Sequence, residues 1–177
     1  MLIRPEEIKS LIKNLPIIKA AHESIKSELE RLAENIDDSI YAAYMNGSGS
    51  GGGIPATGSV SDKTGKIALK IQYSTRSDIK QLQKDVNLLS NVIESLNAGM
   101  KVLTKIQKAI LKLRYSEDGS ETPWKDVTME LKKEEIFFSV SHVKRIHDFS
   151  IKRMISAAQI TVDTYQEVME IMEGRGE

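Results

Sequence analysis

An apolar residue at every third or fourth position is the pattern that most limits what this chain can become. One series runs Ile18, Ala21, Ile25, Leu29, Leu32, Ile36, Ile40 and Ala43. A second runs Ile67, Ile71, Ile79, Leu82, Val86, Leu89, Ile93 and Leu96, with a polar gap near Thr75. Such steps keep one face of an α-helix apolar, as along a coiled-coil seam. The two series predict a helix reaching about Tyr44 and another from about Asp62 to Leu96, capped by Ser61 or Asp62 and roughly 50 Å long. Between them, Asn46 to Ser61 reads NGSGSGGGIPATGSVS, where glycine maximises backbone freedom and a flexible loop is expected. Two single-stripe helices on such a loop fold back most simply as an antiparallel hairpin, each covering the other's stripe. A dimeric coiled coil is the competing arrangement.

The rest of the chain keeps helical spacing. Pro5 to Leu15 reads as a short first helix: Pro5 suits a first turn, Glu6 and Glu7 suit its positive end, and Pro16 interrupts it. Asn97-Ala98-Gly99 is expected to end the third helix and mark a domain boundary. A fourth helix is predicted from Met100 to Tyr115, then the polar turn SEDGSETP, then a fifth from Trp124 to about Lys133. Ser139 or Ser141 caps a sixth, running at least to Ala158, and residues 159–173 contain no breaker and continue as an acidic helical tail. With aromatic residues at 5% and four prolines, the expected fold class is all-α. The expected division is a helical hairpin over residues 1–99, a second module over 100–158 and a tail over 159–177.

Composition narrows function by exclusion. Lys+Arg and Asp+Glu both number 25, so a polyanion partner has to be sought in local charge. The absence of cysteine removes disulfides, thiolate metal sites and cysteine nucleophiles. MLIRPEEIKS lacks the apolar core of a signal peptide, and no apolar run approaches the ~20 residues of a membrane span. A cytoplasmic protein without a membrane partner is expected.

Three stretches of the C-terminal half divide into an apolar and a polar side. IQKAILKLRY offers Ile106, Ile110 and Leu113; TPWKDVTMEL offers Trp124, Val127 and Leu131. SVSHVKRIHDFSIKRM turns Val143, Ile146, Ser150 and Met154 to one side. Its other side carries Ser141, His142, Lys144, Arg145, Asp148 and Lys152, the division that a DNA-reading helix needs. From Lys101 to Arg153, twelve Lys/Arg stand against eight Asp/Glu, so this region is locally basic.

The order "apolar-x-LRY, polar turn, W-x-x-V-x-x-x-L, S-V-S-H-V-K-R-I-H" resembles region four, the promoter-reading domain of bacterial sigma factors. The chain also resembles short phage and prophage regulators of Firmicutes, the RinA- and ArpU-like proteins, in GSVSDKTGKIALKI and SVSHVKRIH. The likeness spans roughly residues 25 to 158. It implies a helix-turn-helix that binds double-stranded DNA, a subunit of RNA polymerase as partner, and control of phage or prophage genes. Carried over by position, Ser139 would cap the recognition helix while Ser141, His142, Lys144 and Arg145 face the major groove. Asp148 is a further candidate acceptor for a cytosine amino group, and Lys152 a further cation on that face. The hairpin would mediate oligomerisation or contact with a partner. One departure from the family is plain: Leu131 stands eight residues before Ser139, a longer connection than the family's. The additional residues lie in KKEEIFF, and either extend the helix by a turn, with Ile136, Phe137 and Phe138 packing beneath, or change the docking angle.

Other chemistries are weaker. Thr64-Gly65-Lys66 superficially resembles a P-loop but has Val60 and Ile67 where glycine and a hydroxyl residue are required. His142 and His147, five apart, make no convincing metal pair, and Asp37-Asp38 and Glu134-Glu135 lie in charged surface segments. Neither catalysis nor a cofactor is expected. The alternative is a helical interaction protein: a polymerase modulator, a virion-assembly adaptor, or a packaging protein like phage small terminase subunits.

Overall fold

A computed structural model describes the backbone of residues 1–47, 63–116 and 119–174, and the side chains of residues 1–34, 77–116 and 119–174. Among these the chain is all-α, as the periodicity predicts. Its helices are α1 (Pro5–Lys13), α2 (Leu15–Gly47), α3 (Lys63–Lys101), α4 (Lys105–Arg114), α5 (Trp124–Lys133), α6 (Val140–Ala158) and α7 (Val162–Glu173). Most of the expected loop at 46–61 lies outside the described residues, although Asn46 and Gly47 still belong to α2. Thr64, Gly65 and Lys66 fall inside α3.

The chain divides into two compact units, one of residues 23–86 and one joining residues 1–22 to residues 87–177. The expected boundary at residue 99 is not where they divide. In the first unit Ile25 and Leu82 are buried, and Gln81 Nε2 donates to Asp85 Oδ1 at 2.8 Å.

The second unit holds the other helices. α3 does not end at Asn97-Ala98-Gly99 but runs on to Lys101. Gly99 serves close packing: a Cβ there would stand 3.4 Å from both the Cε and the carbonyl oxygen of Met154, and 3.5 Å from Ala158. Met100 therefore belongs to α3, and α4 starts at Lys105 through a capping box. Thr104 Oγ1 accepts from Gln107 N at 3.3 Å, and Gln107 Oε1 accepts from Thr104 N at 2.9 Å. That start buries Gln107, Ile110 and Leu111, while Ile106, expected inward, is 38% exposed.

Helices α4, α5 and α6 each pack on the other two. Ile110, Val127, Leu131 and Val143 form their shared core, ringed by Leu113, Trp124, Ile136, Phe138 and Ile146. α5 is not prolonged beyond Lys133. Ile136 N donates to Leu131 O at 2.9 Å and Glu135 N to Lys132 O at 3.1 Å, with Glu135 left-handed at φ 61°. This is a Schellman motif, in which the residue after the left-handed position folds back onto the last apolar residue of the helix. It tucks Ile136 onto the core beside Leu131, and Phe138 follows. Phe137, expected beneath them, is 75% exposed.

α6 ends at Ala158 because Gln159 is left-handed (φ 55°), and α7 begins afresh with Thr161 Oγ1 accepting from Thr164 N. Residues 159–173 are thus not a continuation of α6. Residues 160–162 instead pair with residues 1–3: Ile3 N donates to Ile160 O at 3.0 Å and Val162 N to Met1 O at 3.1 Å. α1 packs on α6 and α7, and its Ile8 and Leu11 are fully buried. No helix among the described residues is long and apolar enough to cross a membrane.

Candidate nucleic-acid interface

α6 is held from behind and open in front. Val143, Ser150 and Met154 are fully buried and Ile151 nearly so, while Ile146 packs at the edge of the shared core. Ser150 spends its hydroxyl on its own helix, donating to Ile146 O at 2.7 Å, so it carries no unsatisfied donor into the core. At the start of α6, Ser139 Oγ accepts from His142 N at 3.3 Å, satisfying one of the orphan amides of the first turn.

On the open side, Ser141, Lys144, Arg145, Asp148 and Lys152 line one shallow groove of about 520 Å³. Ser141, Lys144, Asp148 and Lys152 follow one another at three or four positions, with Arg145 three before Asp148, so they share a face of the helix. Three cations and one carboxylate make that face net positive. Ser139 and His142 do not join it. Ser139 is used as the cap, and His142 leans on Phe138, ring centroids 4.7 Å apart, with its Nδ1 3.1 Å from an Arg145 guanidinium nitrogen. The groove has a sixth wall that sequence reasoning missed: Phe149, 57% exposed. It lies four residues after Arg145 and three before Lys152, so the spacing carried the signal.

His147 is the other omission. It is 2% exposed, four residues after Val143 and three before Ser150, and it belongs to the buried side. The Tyr115 hydroxyl lies 3.0 Å from its Nε2, its Nδ1 lies 3.1 Å from Asp148 Oδ1, and Trp124 meets it edge-on at 5.0 Å. Burial holds this imidazole below the ordinary histidine value, against the pull of Asp148. In the neutral ring the carboxylate requires a proton on Nδ1, which leaves Nε2 to accept from Tyr115. The same burial pushes the Tyr115 phenol up, with Glu121 adding to it. Asp148 is therefore engaged sideways by its neighbour and is not held ready for a partner.

Arg114, the arginine of the Leu-Arg-Tyr sequence, closes the turn between α4 and α5. Its guanidinium donates to Thr122 O and Glu121 and lies over the Trp124 ring, 4.4 Å from the centroid. The turn is further tied by Thr122 N donating to Arg114 O at 2.9 Å and by Gly119 at φ 78°. Trp124 is a packing residue at the edge of the core. Among the described residues, no three His, Cys, Asp or Glu side chains group as metal ligands. The chain matches no family model, no curated protein and no solved structure.

Proposed function

We propose that α5 and α6 are a helix-turn-helix, supported by α4, and that the protein binds double-stranded DNA as a transcription regulator. The observation that carries this is the face of α6. Ser141, Lys144, Arg145 and Lys152 stand exposed in one groove, and the opposite side of the same helix is fully buried. The six residues of that face span about 16 Å of helix, enough to cross a major groove about 12 Å wide. Arg145 and Lys144 are bidentate or point donors to guanine and phosphate, Ser141 sits in the first turn, and Phe149 offers apolar contact to a thymine methyl.

The likeness to sigma region four makes a promoter the expected target, with a polymerase subunit as second partner and phage or prophage genes as the regulated set. In this reading α2 and α3 form an antiparallel hairpin that mediates self-association. The test is a salt-matched gel shift against genomic fragments. Lys144→Ala and Arg145→Ala each weaken binding by about 1–3 kcal/mol if they read bases. Binding by the double variant equal to the unaltered protein sinks the assignment of α6.

The exposure of Phe137 and Met129, 75% and 56%, favours one second reading, a helical adaptor that meets a protein partner through apolar contacts. Salt separates the two, because DNA binding falls steeply as salt rises and apolar docking does not.

A further inference from the structure

The open face of α6 has a neighbour. Lys9, Ser10 and Lys13 of α1, with Asn14 at its C-cap, line a cleft of about 520 Å³ whose far wall includes Lys144 and Asp148 of α6. Those two residues also line the groove of α6, so cleft and groove share a rim. α1 flanks the open face without covering it, since Ser141, Lys144, Arg145, Asp148 and Lys152 all remain exposed.

The charges of the cleft are mostly spent on one another. Lys9 Nζ pairs with Glu6 at 2.9 Å and Arg114 with Glu121, while the Asp148 carboxylate accepts a hydrogen bond from the neutral His147 ring at 3.1 Å. Lys13 and Lys144 remain as cations without an ion pair among the described residues, one on each wall. Beside Lys13 stand a hydroxyl and an amide, with Asn14 Nδ2 3.4 Å from Ser10 Oγ. Hydroxyl, amide and ammonium groups are what proteins turn toward phosphate oxygens. α1 is also set in place beforehand, by the buried Ile8 and Leu11 and by the pairing of residues 1–3 with 160–162, so little order has to be created on contact.

We propose that α1 is the second wall of the nucleic-acid interface, with Lys13, Ser10 and Asn14 gripping backbone phosphates of the duplex whose groove α6 enters. This rests on the reading of α6 as a DNA-binding helix. Contacts of this kind fix register and orientation and carry no sequence information, so their signature is salt dependence.

The experiment is a salt series of fluorescence-anisotropy titrations with the full chain and a long duplex of mixed sequence, thermal melting serving as the folding control. Lys13→Gln is expected to reduce the slope of log affinity against log salt by about 0.9, the share of one phosphate contact. Lys13→Arg, which keeps the positive charge, keeps the slope. If the unaltered protein binds and Lys144→Ala and Arg145→Ala weaken it, but Lys13→Gln keeps the full slope, the role of α1 is overturned and that of α6 stands. If the unaltered protein shows no salt-dependent binding, both are overturned.

Discussion

Single residues at this site are governed by whether they are buried, and burial gives His147 and Asp148 different tasks although they are adjacent. The groups facing His147 are Tyr115 from α4, Trp124 from α5 and Asp148 on its own helix, with the more distant cations Lys9 and Arg114 acting against its protonation. Because folding lowers its pKa, the neutral ring belongs to the folded state. Its contribution is complete above the unfolded value of about 6.5 and is lost as pH falls toward the folded value. Urea unfolding should therefore show stability declining as pH falls below about 6.5, with a shallower decline in His147→Gln. Tyr115→Phe, which removes the hydroxyl partner, should cost about 1 kcal/mol in the same measurement.

Glu135 offers a second test at this scale. Its left-handed backbone costs an L residue about 1–2 kcal/mol, partly offset by the greater freedom of glycine when unfolded. Glu135→Gly should raise stability by about 1 kcal/mol and leave α6 in place. Neither residue could be identified from composition. His147 was legible from its register with Val143 and Ser150, and what hid it was the ordinary weight of histidine as a polar residue. The left-handed Glu135 carried no signal, since the Schellman turn is more often marked by glycine.

Helix existence was legible throughout, because the apolar stripes needed only local spacing to be read. Helix ends were legible where a local residue marks them: Ser139 capping α6, Pro123 before α5, Pro5 in the first turn of α1. They were misread where the deciding contact is distant in sequence. Gly99 looks like a terminator, yet its bareness admits Met154 and Ala158 of α6, a contact between helices that spacing alone cannot announce. The start of α4 moved for a related reason. The reciprocal Thr104–Gln107 bonds fix which residues turn inward, so Gln107 and Leu111 displace Ile106 from the core.

A contrast of two substitutions tests the account of Gly99. Gly99→Ala places its methyl at contact distance and adds helix propensity, so stability should hold or rise by up to about 1 kcal/mol. Gly99→Leu forces α3 and α6 apart and should cost about 1–3 kcal/mol. Equal behaviour of the two in thermal melts would show that this face is not the close approach described here.

At the scale of the whole molecule, sequence order and spatial order part company. The expected hairpin module at 1–99 gave α1 to the wrong company, because nothing local marks that Ile3 will meet Ile160. α7 was foreseen as helix and as acidic, but not as a separately capped element tied to residues 1–3. A chain ended after Gln159 removes Ile160 and Val168, 3% and 0% exposed, together with the backbone bonds to Met1 and Ile3. At about 1.5–3 kcal/mol for each buried side chain, the loss should be at least about 3 kcal/mol. Limited proteolysis should then cut within α1 before it cuts within α4 or α5.

The pairing of residues 1–3 with 160–162 also sets a timetable during synthesis. Ile3 cannot find Ile160 until 157 further residues have been added, which at about 5–20 residues per second takes roughly 8–30 seconds. Through that interval Ile3 lacks Ile160 and α1 lacks the two helices it packs on, leaving them open to chaperones or to other nascent chains. α1 is thus made well before α6 and α7 but secured only after them.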